Sequence, residues 1–189
     1  MENIRIVFFF IIISATFSNC DPKSAESSED MGSMSEMPSS EEDERPSPLK
    51  NISGSINGKE IQLQYGAPSV KNREIWGDLV PYDVVWRTGA NEATFIELKD
   101  SVDIKGGKLA PGKYSIFTIP KEKGDWTVIF NTDWDLEHGH FQYNENNDIL
   151  KVSVSPENLD DLQEVLSFEI ADSEIILKWE KIKLTIPVQ

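Results

Sequence analysis

The densest set of chemically versatile side chains lies in Trp86-Arg87-Thr88-Gly89-Ala90-Asn91-Glu92-Ala93-Thr94. Arg87 offers a planar fork of donors, Asn91 a donor and an acceptor, and Glu92 a carboxylate. With Lys71, Arg73 and Trp76 just upstream, the cluster suits gripping a sugar or a small carboxylated ligand. A plainer arrangement uses the same residues: Arg87 paired with Glu92, and Asn91 capping the turn, so that two strands are held in register. Gly89 is expected to supply a backbone conformation that other residues resist. A second set, Asp133-Trp134-Asp135-Leu136-Glu137-His138-Gly139-His140, gathers three acids and both histidines of the chain. In an extended chain His138 and His140 project on one side. With Asp133 and Asp135 they have the chemistry to hold zinc or another divalent ion. No third ligand motif stands elsewhere, so neither metal nor cofactor is assigned.

Indole faces stack on sugar rings, which brings all five tryptophans into view. Trp86, Trp126 and Trp179 sit inside apolar alternation and read as core. Trp76 and Trp134 lie outside clean strands and are the better binding candidates. The catalytic signatures Gly-x-Ser-x-Gly, His-Glu-x-x-His, the P-loop and the dinucleotide fingerprint do not occur. Among 23 acids in residues 51–189 no carboxylate pair for glycoside hydrolysis stands out. No catalytic residue is assigned.

The one cysteine, Cys20, has its own chemistry. Arg5 precedes an apolar run, Ile6 to Ile13, which is too short for the ~20 residues that span a bilayer. Ser14-Ala15-Thr16-Phe17-Ser18-Asn19 then leads into Cys20. The pattern resembles a bacterial lipoprotein signal, although Phe17 and Asn19 depart from the usual lipobox. Residues 1–19 are then a leader and Cys20 the lipidated first residue of the mature chain, moored in the membrane. The rival is a plain secretory peptide cleaved near Ala15, with Cys20 left as a free thiol. A single cysteine leaves no intramolecular disulfide framework.

Those residues need positioning, and the rest of the chain says how. Of 189 residues, 33 are acidic and 18 basic, a net charge of −15 that argues against nucleic acid as a partner. Residues 20–50 are rich in Ser, Glu and Pro, with nine acids against Lys23, Arg45 and Lys50. Such a stretch buries too little apolar surface to order itself. It is expected to be a disordered tether, about 30 Å end to end. From Asn51 onward, β-branched and aromatic residues alternate with polar ones between Gly, Pro, Asn and Asp. That predicts an all-β fold, an antiparallel β-sandwich of about nine or ten strands over residues 51–189.

Ile52–Ile56 and Lys59–Tyr65 flank Asn57-Gly58, a hairpin signal. Further strands are predicted at Val84–Arg87, Ala93–Leu98, Lys113–Ile119, Trp126–Asn131, Leu150–Ser155, Leu166–Ala171, Glu174–Glu180 and Leu184–Val188. Gly106-Gly107 supplies a turn, and Ala110-Pro111-Gly112 fits a type II turn. One short helix is predicted at Glu157–Glu164, where Pro156 precedes an acid-rich turn. The long connection Thr132–Asn147 has room for function.

Several long motifs occur in order: Tyr65-Gly-Ala-Pro-Ser-Val-Lys-Asn-Arg-Glu-Ile-Trp76, Val85-Trp-Arg-Thr-Gly-Ala-Asn-Glu-Ala-Thr94, Leu109-Ala-Pro-Gly-Lys-Tyr-Ser-Ile-Phe-Thr-Ile-Pro120 and Trp126-Thr-Val-Ile-Phe-Asn131. Together they resemble the domain of unknown function 2911 family of bacterial, largely Bacteroidetes-type, secreted proteins and lipoproteins. The resemblance implies an exported, anchored domain and carries no activity with it. The expectation is therefore a lipid-anchored envelope protein, periplasmic or surface-facing, whose sandwich is a ligand-binding or assembly module. The alternatives are an envelope hydrolase using Arg87, Asn91, Glu92 and the two histidines, and a structural component without ligand.

Overall fold

The structure, a computed structural model, describes residues 45–189; Cys20, the leader and most of the tether lie outside the described residues. Among the described residues there are ten strands: β1 (Leu49–Ile56), β2 (Lys59–Gly66), β3 (Phe95–Leu98), β4 (Val102–Ile104), β5 (Gly107–Leu109), β6 (Gly112–Ile119), β7 (Trp126–Asn131), β8 (Asp148–Val154), β9 (Pro156–Ala171) and β10 (Glu174–Pro187). Six form one antiparallel sheet in the order β1-β2-β3-β6-β7-β8, β9 and β10 form a long ribbon, and β4 with β5 a small one. The all-β, antiparallel, ten-stranded expectation holds. Strand pairing begins at Leu49, inside the stretch assigned to the tether.

Alternation along the strands decides what is buried. Ile61, Leu63 and Tyr65 of β2 point inward with Ile96 and Leu98 of β3 and Val128 and Phe130 of β7. They meet Leu177, Trp179, Leu184 and Ile186 of β10 in one core. Asn57 and Gly58 take positive φ at the β1–β2 turn, as the hairpin requires. The other face of the sheet is mixed. Over β6 and β7, Phe117 and Ile129 are fully buried beneath Val85, Ala93, Leu136 and Tyr143. These covering residues come from the loops 83–94 and 132–147, so the two loops richest in candidate residues are pinned on the outer face of the sheet.

The predicted helix at Glu157–Glu164 is instead the first half of β9. Glu157, Asn158 and Gln163 pair with Lys183, Ile182 and Glu180 of β10, with register shifts on either side of Glu180, which has positive φ. Acid-rich local preference is overridden by the partner strand. The bulges let β9 change partner: the Val70 amide donates to the Glu164 carbonyl at 2.8 Å, and the Leu166 amide to that of Pro68 at 2.9 Å. Val84–Arg87 is not a strand; it meets β6 only at the bridge between Trp86 and Thr118. The segments 174–180 and 184–188 form one bulged strand ending at Pro187. The ribbon β4–β5 escaped prediction, and its turn is Lys105-Gly106, not Gly106-Gly107. Gly112 has a φ of 156°, far from the +80° of a type II turn, and simply starts β6.

Candidate functional site

The segment 86–94 is closed on itself before it offers anything to a ligand. The buried Trp86 indole donates to the Gly89 carbonyl at 3.1 Å, and the Thr94 hydroxyl to the Thr88 carbonyl at 2.9 Å. The positive φ expected of Gly89 falls instead on its neighbours Thr88 and Asn91. Thr88 is β-branched, so that conformation is strained and must be held by its surroundings. Gly89 is needed for a different reason: a Cβ there would stand 2.8 Å from Thr94 Oγ1 and 3.0 Å from the Gly66 carbonyl oxygen. The turn is packed too tightly against β2 for a side chain.

This rigid turn aims Arg87 into a cleft of about 270 Å³ lined by Arg73, Arg87, Asn91 and His140, with Leu79 and the Trp86 and Trp179 rings in its walls. Arg87 donates through Nη1 to the Asn91 carbonyl and through Nε to His140 Nδ1 at 3.1 Å. Because Nδ1 accepts, the neutral His140 ring carries its proton on Nε2. The Arg87 guanidinium also lies 5.4 Å from the centre of the exposed Phe141 ring, a cation–π contact. Gly139 makes this approach possible: it has a φ of 54°, and a Cβ there would stand 2.6 Å from Arg87 Cδ. Arg73 donates to the Ser69 carbonyl at 2.5 Å and the Val70 carbonyl at 3.1 Å. Those carbonyls belong to the segment that β9 anchors through its bulge.

Both cations therefore lean on neutral groups. Among the described residues no carboxylate forms a salt bridge with Arg73 or Arg87. Burial lowers the Arg87 pKa, and the nearby Glu92 charge partly offsets this. Burial, and secondarily the Arg87 charge, lowers the His140 pKa below its ordinary value. Among the described residues, the cleft thus holds two guanidinium groups with no carboxylate in contact. The Trp179 indole nitrogen adds a buried donor with no acceptor among the described residues.

The predicted site residues are only partly brought together. Arg73, Arg87 and Asn91 share the cleft. Glu92 does not pair with Arg87; its carboxylate takes a hydrogen bond from Arg45 at 2.6 Å, a partner 47 residues away. Lys71 is exposed and has positive φ, its amide bonded to the Glu164 carboxylate at 2.9 Å. Trp76 packs edge-on against Trp86, Trp126 and Trp179 at centroid distances of 5.6, 4.8 and 5.7 Å. It packs against the core cluster and lines a separate hollow beside Tyr82 and Trp126. Trp86, Trp126 and Trp179 are core, as predicted.

Trp134 stands on the outer sheet face against Phe95, with Lys113 Nζ 4.4 Å from its ring centre. Asp133, Asp135, His138 and His140 do not converge, and no group of three or more His, Cys, Asp or Glu able to hold a metal occurs among the described residues. The chain is not extended there: a 3-10 turn begins at Gly139, His140 is turned to Arg87, and Asp133 accepts from Asn147 at 2.6 Å. Leu79 and Trp179, which line the cleft, and Phe141, which lies against Arg87, are residues that the sequence reading missed as such. Only the oddity of an aromatic in a polar loop could have flagged Phe141.

No curated protein and no solved structure matches the chain. Residues 47–188, which include every described residue of the cleft, match the family model described as "Protein of unknown function (DUF2911)", and the chain belongs to that family.

Proposed function

We propose that the protein is exported, moored in the bacterial envelope by acyl chains on Cys20, and that its sandwich binds a small carboxylate with an apolar body. The observation that carries the binding reading is the pair Arg73 and Arg87 in one cleft, without a carboxylate partner among the described residues, in a chain of net charge −15. A guanidinium takes a carboxylate through two parallel hydrogen bonds, and such charge-assisted bonds are about twice as strong as neutral ones. Walls made of Trp86, Trp179 and Leu79, with Phe141 beside Arg87, favour an apolar or aromatic remainder over a sugar. The hydrolase alternative needs Glu92 as a free acid or base, whereas Arg45 holds that carboxylate.

Titration calorimetry of the mature protein with phenylacetate and octanoate, against the matching neutral amides, tests the binding. The acids should bind and the amides should not, and Arg87→Gln should weaken the acids about thirtyfold, roughly 2 kcal/mol. Equal binding of acid and amide, or of neither, overturns the reading. Mass spectrometry of the mature chain tests the anchor: an N-terminal acylated Cys20 supports it, and an unmodified chain starting elsewhere removes it.

A further inference from the structure

We propose that the outer face of the six-stranded sheet is a second binding site, for a short neutral oligosaccharide. Outward side chains of four neighbouring strands line an open trough there of about 410 Å³. Register sets them in rows. Ser53 of β1 stands opposite Gln62 of β2, Gln62 opposite Glu97 of β3, and Glu97 opposite Lys113 of β6. In the next row Asn51 faces Gln64, and Gln64 faces Phe95. Three inter-strand gaps make the trough about 14 Å across. It continues into a smaller hollow that shares Gln64 and Phe95 and has Trp134 in its lining. Phe95 and Trp134 meet edge to face at 5.3 Å, so an aromatic pair marks the junction.

The chemistry of these rows fits a hydroxyl-rich, uncharged chain. A hydroxyl, amides, a carboxylate and an ammonium lie side by side, giving donors and acceptors in alternation. Each sugar hydroxyl needs both, and the C–H face of a pyranose needs a ring such as Phe95 to lie on. Charge does not favour an anion here. Glu97 accepts from Lys99 at 2.8 Å and pairs with Lys113 at 3.4 Å, so the cations of the trough are already matched. Hydrogen bonding from Lys99, ahead of that from Lys113, holds the Glu97 carboxyl below its usual range, which keeps it an acceptor. Another strand has no purchase on a sheet face whose backbone is paired within the sheet. A second copy would need an apolar patch, and Asn51, Ser53, Gln62 and Gln64 do not make one.

Calorimetry of the mature protein with cellotetraose, xylotetraose, maltotetraose and chitotetraose tests the site. At least one should bind, and Phe95→Ala should weaken it about tenfold, the loss of one ring contact. Phe95→Tyr should restore it. Gln62→Ala, a half-buried surface position, should cost a few-fold and carries the test if Phe95→Ala fails to fold. No binding by any of the four, or binding that neither Phe95→Ala nor Gln62→Ala alters, overturns the proposal. Probes and variants differ from those for the arginine cleft, so either site can fail alone.

Discussion

The arginine cleft and the outer trough belong to one small domain and share no lining residue, and they treat their charges in opposite ways. In the cleft, Arg73 and Arg87 are held by carbonyls and an imidazole, so each is fixed in place with its charge unpaired among the described residues. In the trough, Glu97 sits between Lys99 and Lys113, and the remaining lining side chains are neutral. The walls differ as well. The cleft borrows its walls from core tryptophans, whereas the trough is made of the polar half of the strand alternation. Holding a cation with neutral acceptors preserves its field for a ligand; pairing it with a carboxylate spends that field on the fold.

The largest effect that separates the two regions should come from Trp179→Ala. The ring is 1% exposed, stacks on Trp86 at 5.7 Å and walls the cleft, but has no place in the trough. Its loss should cost about 3–5 kcal/mol. Thermal unfolding followed by circular dichroism should show a drop of roughly 10–15 °C. Where enough folded protein survives, carboxylate binding should be lost and oligosaccharide binding kept. A stability change under about 1 kcal/mol would mean that the indole is not part of the core.

Salt should sharpen the contrast at smaller amplitude. Raising ionic strength from about 0.01 to 0.5 M shortens the screening length several-fold, from about 30 Å to a few ångströms. Carboxylate affinity should fall a few-fold over that range, while binding in the trough should not move. A salt-independent carboxylate would break the comparison, since its binding would then owe nothing to unspent charge.

How much of this was legible differs between the two regions for a physical reason. β1, β2, β3, β6, β7 and β8 follow from alternation, and so do the outward rows of Gln62, Gln64, Phe95 and Glu97 that form the trough, because a strand's period fixes which face a residue takes. Arg87 and Asn91 were visible as chemistry, but their surroundings were not. His140 meets Arg87 across 53 residues of sequence, and Arg45 takes Glu92 across 47, pairings that only the folded loops create. The helix expected at 157–164 failed similarly: acid-rich local preference favours a first helical turn, and the pairing with β10 lies beyond any local window. Gly89 misled in a subtler way. A glycine in a turn suggests positive φ, whereas here its missing Cβ makes room for Thr94 and the Gly66 carbonyl.

The smallest effect is also the one that most directly probes the cleft's charge. Burial, and then the Arg87 charge, holds the His140 pKa below 6.5 in the folded protein. In the unfolded chain it returns to about 6.5, so the unfolded state binds more protons as pH falls through that window. The neutral ring therefore contributes stability above pH 6.5 that is lost as pH falls towards the folded pKa. A bound carboxylate reverses the preference, because an anion beside His140 favours the imidazolium. Over the same window carboxylate affinity should rise by a few-fold while the free protein becomes less stable, until the ligand's own carboxyl begins to protonate near pH 4. His140→Gln keeps an acceptor for Arg87 and should flatten both profiles without touching oligosaccharide binding. Affinity and stability moving in the same direction with pH would mean that the carboxylate does not sit against His140, and that the cleft's field is being used for something other than an anion.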